Sequence, residues 1–364
     1  GAHHAKIRLL RIFAKSRQKI MGFAEKFIEQ ASAALSLCDD RLIAKAGEAN
    51  PWFCPLFVKH RLNALKQSLE QDKSLLVQLL DFEVPATAPR LITIVAAGNI
   101  PLVCWHDLVC ALAYASAHPD GVTLEVKLSS KDNVLLPAIV DRLYNMENSC
   151  LKGIRIRFVS RADPGTRAIL FTGGSNAEAY YRQAFPGIPV LIRTGRSSVA
   201  VLDGTESEEE LEGLVRDCFL YFGLGCRNVS LLMVPFEYDF LPFVQKTATV
   251  MGPVLSSHKN YMSALRHARA CALMLKDPAG QENPYPEDFF VLEESEGLNP
   301  PVAVVHYTKY NKREDISFFL EKNRDLIQCV AGTGEVPLGK TQFPAFTDYA
   351  DRLNTLEWLQ KLSY

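Results

Sequence analysis

Leu91-Ile92-Thr93-Ile94-Val95-Ala96-Ala97 is an almost unbroken apolar run that stops at Gly98-Asn99. A strand half exposed to water alternates apolar and polar residues, so a run of this kind predicts a strand covered on both faces. Such strands belong to parallel sheets, whose crossover connections lay helices on either side. The chain keeps that rhythm. Residues 107–117 predict a helix, Val122–Lys127 a strand, 132–145 a helix and Ile154–Val159 a strand. Ala168–Phe171 predicts another strand, with a helix from about Asn176, and Pro189–Arg193 and Val199–Leu202 close the set. The alternation implies a doubly wound α/β domain that binds ligands at the carboxyl ends of its strands.

Ahead of this domain, residues 1–88 read as mostly helical, with Lys15–Ala34 and Val58–Phe82 clearest and Asn50-Pro51-Trp52-Phe53 breaking the pattern between them. Pro85 and Pro89 mark a linker. A second α/β unit opens after Asp203 with an acidic helix start at Thr205-Glu206-Ser207-Glu208. Val229–Val234, Phe289–Leu292 and Val302–His306 predict its strands, and 237–249, 258–275 and 312–324 its helices. The expected division is a helical region over 1–88, a cofactor-binding domain over 89–204, a catalytic domain over 205–335, and a segment over 336–364 packing back on the body.

The 364 residues allow two or three domains. A net charge of −1 gives no basic excess for nucleic acid. The locally basic stretch from Lys6 to Lys26 reads as a solvated amphipathic helix packed on the body, with a membrane-surface helix as the alternative. The nine cysteines include no CxxC pair, which argues for a reducing cytoplasm and against a disulfide scaffold or structural zinc; no metal site is expected. No apolar run is long enough to span a bilayer, and no signal peptide is visible.

The chemistry centres on Phe222-Gly223-Leu224-Gly225-Cys226-Arg227-Asn228. A thiol that attacks a carbonyl needs an open approach and a neighbouring N–H for the resulting oxyanion, and glycines at i−1 and i−3 permit both. A buried structural cysteine in a glycine turn is the plain alternative. Upstream, Gly98-Asn99-Ile100-Pro101 places an amide at the end of the first buried strand; Asn before Pro is equally an ordinary turn residue. Lys127-Leu128-Ser129-Ser130 ends another strand with a lysine and two hydroxyls suited to ribose or phosphate, or simply facing solvent. Phe171-Thr172-Gly173-Gly174-Ser175 is a strand, a turn and a helix start, which forms an anion site or merely a tight turn. Gly195-Arg196-Ser197-Ser198 is a turn into a strand.

In order and spacing these features resemble the aldehyde dehydrogenase superfamily. The resemblance implies an aldehyde dehydrogenase-like α/β fold: a Rossmann-type cofactor domain, an α/β catalytic domain and a helical N-terminal region. It implies Cys226 as nucleophile and Asn99 as oxyanion donor. It places Lys127, Ser129, Ser130, Gly173, Gly174 and Ser175 around the cofactor. Within that superfamily the chain is most similar to acyl-CoA reductases of the LuxC type. The residues concerned are Ala97-Gly98-Asn99-Ile100-Pro101, Lys127–Asp132, Gly223-Leu224-Gly225-Cys226, Asn50-Pro51-Trp52-Phe53, and Gly339–Pro344 followed by Asp348-Tyr349-Ala350-Asp351.

Two departures matter. The glutamate that activates water in the superfamily would fall near Ile192, where no acid stands, and Ile cannot deprotonate water. This favours exchange of the acyl group with a thiol over hydrolysis. Leu224 stands where Gln is usual. The implied activity is NADPH-dependent reduction of a fatty acyl-CoA to the aldehyde through acyl-Cys226, with Arg227 a candidate to lower the thiol pKa. NADPH is preferred because Ser130 and Lys131 stand where an acid would repel a 2′-phosphate; NADH is the alternative. A ribose-binding Glu is expected before a Pro-Val strand, and Glu296 precedes Pro300-Pro301-Val302. By analogy the protein is expected to be a homo-oligomer and to receive its acyl group from a protein partner. The rival readings are an acyl-phosphate reductase, a non-catalytic scaffold subunit, and a thiol hydrolase using His106, His258, His267 or His306.

Overall fold

The computed structural model describes residues 21–118, 120–275 and 289–362. The helix expected over Lys6–Lys26 therefore falls largely outside the described residues. The helical region contains α1 (Phe23–Ser36), α2 (Asp40–Ala49), α3 (Pro55–Glu70) and α4 (Lys73–Leu80). The single helix expected over Val58–Phe82 is two, because Asp72 leaves helical geometry (φ −125°, ψ 50°), as a residue that prefers caps and turns readily does. α2, which the apolar pattern did not reveal, is N-capped by Asp39, whose side chain accepts from Leu42 N at 2.9 Å.

The first sheet is parallel with order β3-β2-β1-β4-β5. Its strands are β1 (Leu91–Val95), β2 (Thr123–Lys127), β3 (Arg155–Phe158), β4 (Ala168–Thr172) and β5 (Val190–Arg193). The unbroken run earns β1 the central place. Ile92 and Ile94 face the large core shared with α1, α3, α5 (Trp105–Ala117) and α6 (Leu135–Asn145). Val95 joins Ile169, Phe171 and Tyr181 on the other face, under α7 (Ser175–Ala184).

The second sheet is also parallel, with order β10-β6-β7-β9-β8. It comprises β6 (Ser197–Val201), β7 (Val229–Pro235), β8 (Val291–Glu294), β9 (Val304–Tyr310) and β10 (Ile327–Gly332), with α8 (Glu208–Phe219), α9 (Leu241–Val250), α10 (Gly252–Ser257), α11 (Lys259–Leu275) and α12 (Arg313–Lys322) around it. Here an expectation is corrected. The strand at Val199–Leu202 does not close the first sheet; it is β6, between β7 and β10, so the sheets part between Arg193 and Ser197 rather than at 204. The reason is burial. Every residue of β6 is buried, and beside the edge strand β5 one side of it would lie open. β10 had no clear signal in the sequence, since Gln328 and Cys329 interrupt a short run.

The C-terminal segment crosses back over both units. Asp217 on α8 accepts from Gly339 N at 2.6 Å and from Thr341 Oγ1 at 2.8 Å. Farther on, Arg193 pairs with Asp107 at 2.6 Å, donates to Thr355 Oγ1, and so fastens α13 (Thr355–Gln360) near α5. The crossing needs a bare backbone: a Cβ on Gly213 would lie 2.8 Å from Gly339 Cα. Gly213→Ala is expected to lower stability by about 1–3 kcal/mol, the usual cost of overpacking, read as a fall in the urea midpoint. An unchanged midpoint would show that the tail shifts freely.

Candidate active site

Two turns meet where the carboxyl end of the first sheet faces the amino end of the second. One follows β1 and carries Asn99. The other lies between α8 and β7 and carries Cys226. They are joined by the Asn99 side chain, whose Nδ2 donates to the Leu224 carbonyl at 2.7 Å. An amide nitrogen has two hydrogens, so one remains for the cavity that Asn99 and Cys226 both line. That cavity is about 260 Å³ and also meets Arg196, Phe222, Asn299 and Pro301.

The cysteine loop is shaped by its own residues. A capping box between Ser207 and Glu210 starts α8. After its end Tyr221, Phe222 and Gly223 all have positive φ, at 55°, 56° and 74°. Gly225 donates its N–H to Asn228 Oδ1 at 2.8 Å, and a Cβ there would lie 3.0 Å from that oxygen. Asn228 Nδ2 in turn donates to the carbonyls of Leu220 at 2.8 Å and Asp217 at 3.0 Å. Asn228 is thus the buried clasp of the loop, a role its position beside the cysteine did not reveal.

Cys226 is half-buried. Burial pushes its thiol up, and Asp351 adds to that; Arg227, Arg61 and the cysteine's own N–H pull the other way. The net direction is upward, so Arg227 does not by itself supply a thiolate. It is turned towards the C-terminal tail, donating to Asp348 O at 3.1 Å. No helix starts at Cys226. Asp351, brought in by the tail, is an acid that no strand position around Ile192 points to; it pairs with Arg196 at 3.0 Å. Ile192 itself packs in the apolar cluster around Phe171.

The helical region grips both turns. Asn50 Nδ2 donates to Gly98 O at 3.5 Å. Arg61 donates to Pro101 O at 2.9 Å and Leu102 O at 3.2 Å. His60 Nδ1 lies 2.8 Å from Tyr221 Oη, and the Trp52 and Phe57 rings stack edge-on against Phe222. Leu102 has φ 57°, and its N–H goes to Asp132 Oδ2 at 2.6 Å.

The expected cofactor residues flank Asn99 on either side, at the ends of β2 and β4. Lys127 is half-buried and its carbonyl accepts from Ala96 N at 3.1 Å. Ser129 Oγ accepts from Lys131 N at 3.2 Å and lies so close to Gly98 that a Cβ there would come within 2.6 Å. Ser130 is exposed. Gly173 abuts the Phe171 ring, whereas a Cβ on Gly174 would meet nothing within 4 Å. Gly174 N-caps α7 without any side-chain cap, and Ser175 opens the helix exposed. Uncapped amides at a helix start facing open space are donors of the kind that can meet a phosphate.

The histidines considered as hydrolase partners are engaged elsewhere. His106 bonds Phe346 O at 2.9 Å, His258 bonds Pro51 O at 2.7 Å, His306 bonds Gly297 O at 2.6 Å, and His267 lies 3.6 Å from Cys271 Sγ. Glu296 faces Lys322 at 4.0 Å and does not line the cavity. Among the described residues no group of three or more His, Cys, Asp or Glu is placed to hold a metal ion, and no helix is long and apolar enough to cross a membrane.

This architecture is the aldehyde dehydrogenase fold. Aldehyde dehydrogenase 21 from Physcomitrella patens, solved with succinate, superposes with a TM-score of 0.58 at 13% identity, over 86% of this chain and 74% of that one. An aldehyde dehydrogenase C variant from Pseudomonas syringae, solved with NAD+ and octanal, gives 0.58 at 13% over 86% and 77%. Methylmalonate-semialdehyde dehydrogenase from Oceanimonas doudoroffii gives 0.57 at 12% over 88% and 74%. No family model matches the chain, and no curated protein matches it in sequence.

Burial raises Asp132 to about 6, against the pull of the Leu102 N–H and Arg61. Its ionisation therefore destabilises the fold progressively as pH rises from the usual carboxylate range, about 4, through 6. Asp217 is also pushed up to about 6 by burial. Asp132→Asn keeps an oxygen for Leu102 N and removes the charge. The expected result is a shallower fall in stability across that window, measured by urea unfolding at a series of pH values. A wild-type slope would refute this.

Proposed function

We propose that this protein reduces an acyl-CoA thioester to the aldehyde through an acyl group carried on Cys226, using NADPH. The supporting observation is the joint placement of Cys226 and the Asn99 amide on one cavity, linked through the Leu224 carbonyl. The Cys226 sulfur attacks the thioester carbon after its proton leaves. The oxygen that gains the electron pair is held by the remaining Asn99 N–H and by the Cys226 N–H. Collapse of the adduct breaks the bond to the CoA sulfur, which leaves with a proton, and the acyl group stays on Cys226. Arg61 and Arg227 stabilise the anionic sulfur as it forms. Lys127, Ser129, Ser130 and the amides at Gly173–Ser175 would hold the cofactor, which when bound supplies hydride to a carbonyl carbon. The preference for NADPH rests on Ser130 and Lys131.

Incubation with a medium- or long-chain acyl-CoA, without cofactor, is expected to add one acyl mass to the intact protein. Cys226→Ala should show none, and NADPH should discharge the adduct. Asn99→Ala should acylate about 10²–10³ times more slowly, as for loss of an oxyanion donor. Lys127→Ala should weaken NADPH binding, read by fluorescence titration, with acylation unchanged. No adduct at any chain length, with an adduct from an acyl phosphate, would move the assignment to acyl-phosphate reduction. No adduct from either donor would leave a non-catalytic role.

A further inference from the structure

Arg61 lies in the helical region, outside both sheets, yet its guanidinium reaches the turn that carries Asn99. It is bonded to two backbone carbonyls, those of Pro101 and Leu102, rather than to a carboxylate. Carbonyls satisfy its hydrogen bonds but do not cancel its charge; burial pulls its guanidinium down, and Asp132, bonded to the same turn, pulls the other way. The turn it grips is strained, since Leu102 is in the left-handed region at φ 57°. Asp132 fixes the N–H of Leu102 while Arg61 fixes its C=O. A strained residue persists only where its surroundings over-determine it.

We infer that Arg61 is a positioning residue of the Cys226 site, holding the Asn99 turn against the cysteine loop from a third part of the chain. The inference rests on the reading of Cys226 as the reactive thiol. The groups whose charge reaches that thiol are Arg61 from α3, Arg227 on its own loop, Asp351 from the tail and Cys329 from β10. Arg61 is the member that also touches the Asn99 turn.

The test compares Arg61→Lys with Arg61→Gln. Cys226 alkylation by iodoacetamide is followed across neutral to alkaline pH by peptide mass spectrometry, beside the rate of acylation by acyl-CoA. Arg61→Lys keeps the charge but cannot fork between two carbonyls. It should alkylate with the wild-type pH profile yet acylate about 10²-fold more slowly, as expected when a reacting group is misplaced by about 1 Å. Arg61→Gln should acylate as slowly and also shift its alkylation profile to higher pH. A wild-type profile and rate in Arg61→Gln would overturn the inference. So would loss of cooperative unfolding in both variants, which would make Arg61 a folding residue. Iodoacetamide needs no acyl donor, so if the wild type fails to acylate, the proposed function falls and the alkylation profile alone decides on Arg61.

Discussion

Two backbone turns from different sheets must be held within hydrogen-bond reach of each other, and the rest of the site depends on that. A parallel sheet ends in loops at both ends of its strands, and nothing in one sheet dictates where the loops of another will lie. The Asn99–Leu224 hydrogen bond exists because parts of the chain outside both sheets press the turns together. The helices over residues 23–80 reach the Asn99 turn through Asn50 and Arg61, and the cysteine loop through Trp52, Phe57 and His60. The C-terminal tail reaches the cysteine side through Asp348 and Asp351. Left-handed residues gather along this seam: Leu102, Tyr221, Phe222, Asp351 and Arg352. Each costs on the order of 1–3 kcal/mol. Strain of that kind is tolerable where several independent contacts fix the same backbone.

The sequence was most legible where burial is continuous. The run at Leu91–Ala97 announces a central parallel strand, and the glycine–cysteine turn announces a tight loop that carries a cysteine. It was least legible where a residue acts across the chain. Arg61 sits on a helix whose pattern is satisfied equally by a solvated arginine, and no periodicity encodes a partner forty residues later. Asn228, beside the cysteine, looks like any residue before a strand, although its amide closes the loop. Asp351 lies in a short turn ahead of α13, outside both sheets, so counting along strands does not place the acid that reaches Cys226. The sheet to which β6 belongs is hidden for a related reason: an apolar strand shows that it is covered, but not by which neighbours.

The electrostatics of the thiol bear on which reaction suits the site. The acid near Cys226, Asp351, is paired with Arg196, and burial pushes its carboxyl up against the pull of Arg196 and Arg193. No carboxylate stands at Ile192, which packs half-buried against the apolar cluster around Phe171. A thiol pushed up by burial is ionised less often, but its anion is the more nucleophilic for it. In the adduct formed with a thioester, the sulfur of lower pKa departs first. Raising Cys226 makes its own sulfur the poorer leaving group, which shifts the adduct towards expelling the CoA sulfur and keeping the acyl group on the protein. Under the acyl-transfer reading the same burial that slows ionisation favours the acyl-enzyme once it forms. The cationic groups Arg61 and Arg227 then bear on the two points where the Cys226 sulfur carries negative charge, its attack on the thioester and its departure as the aldehyde is released.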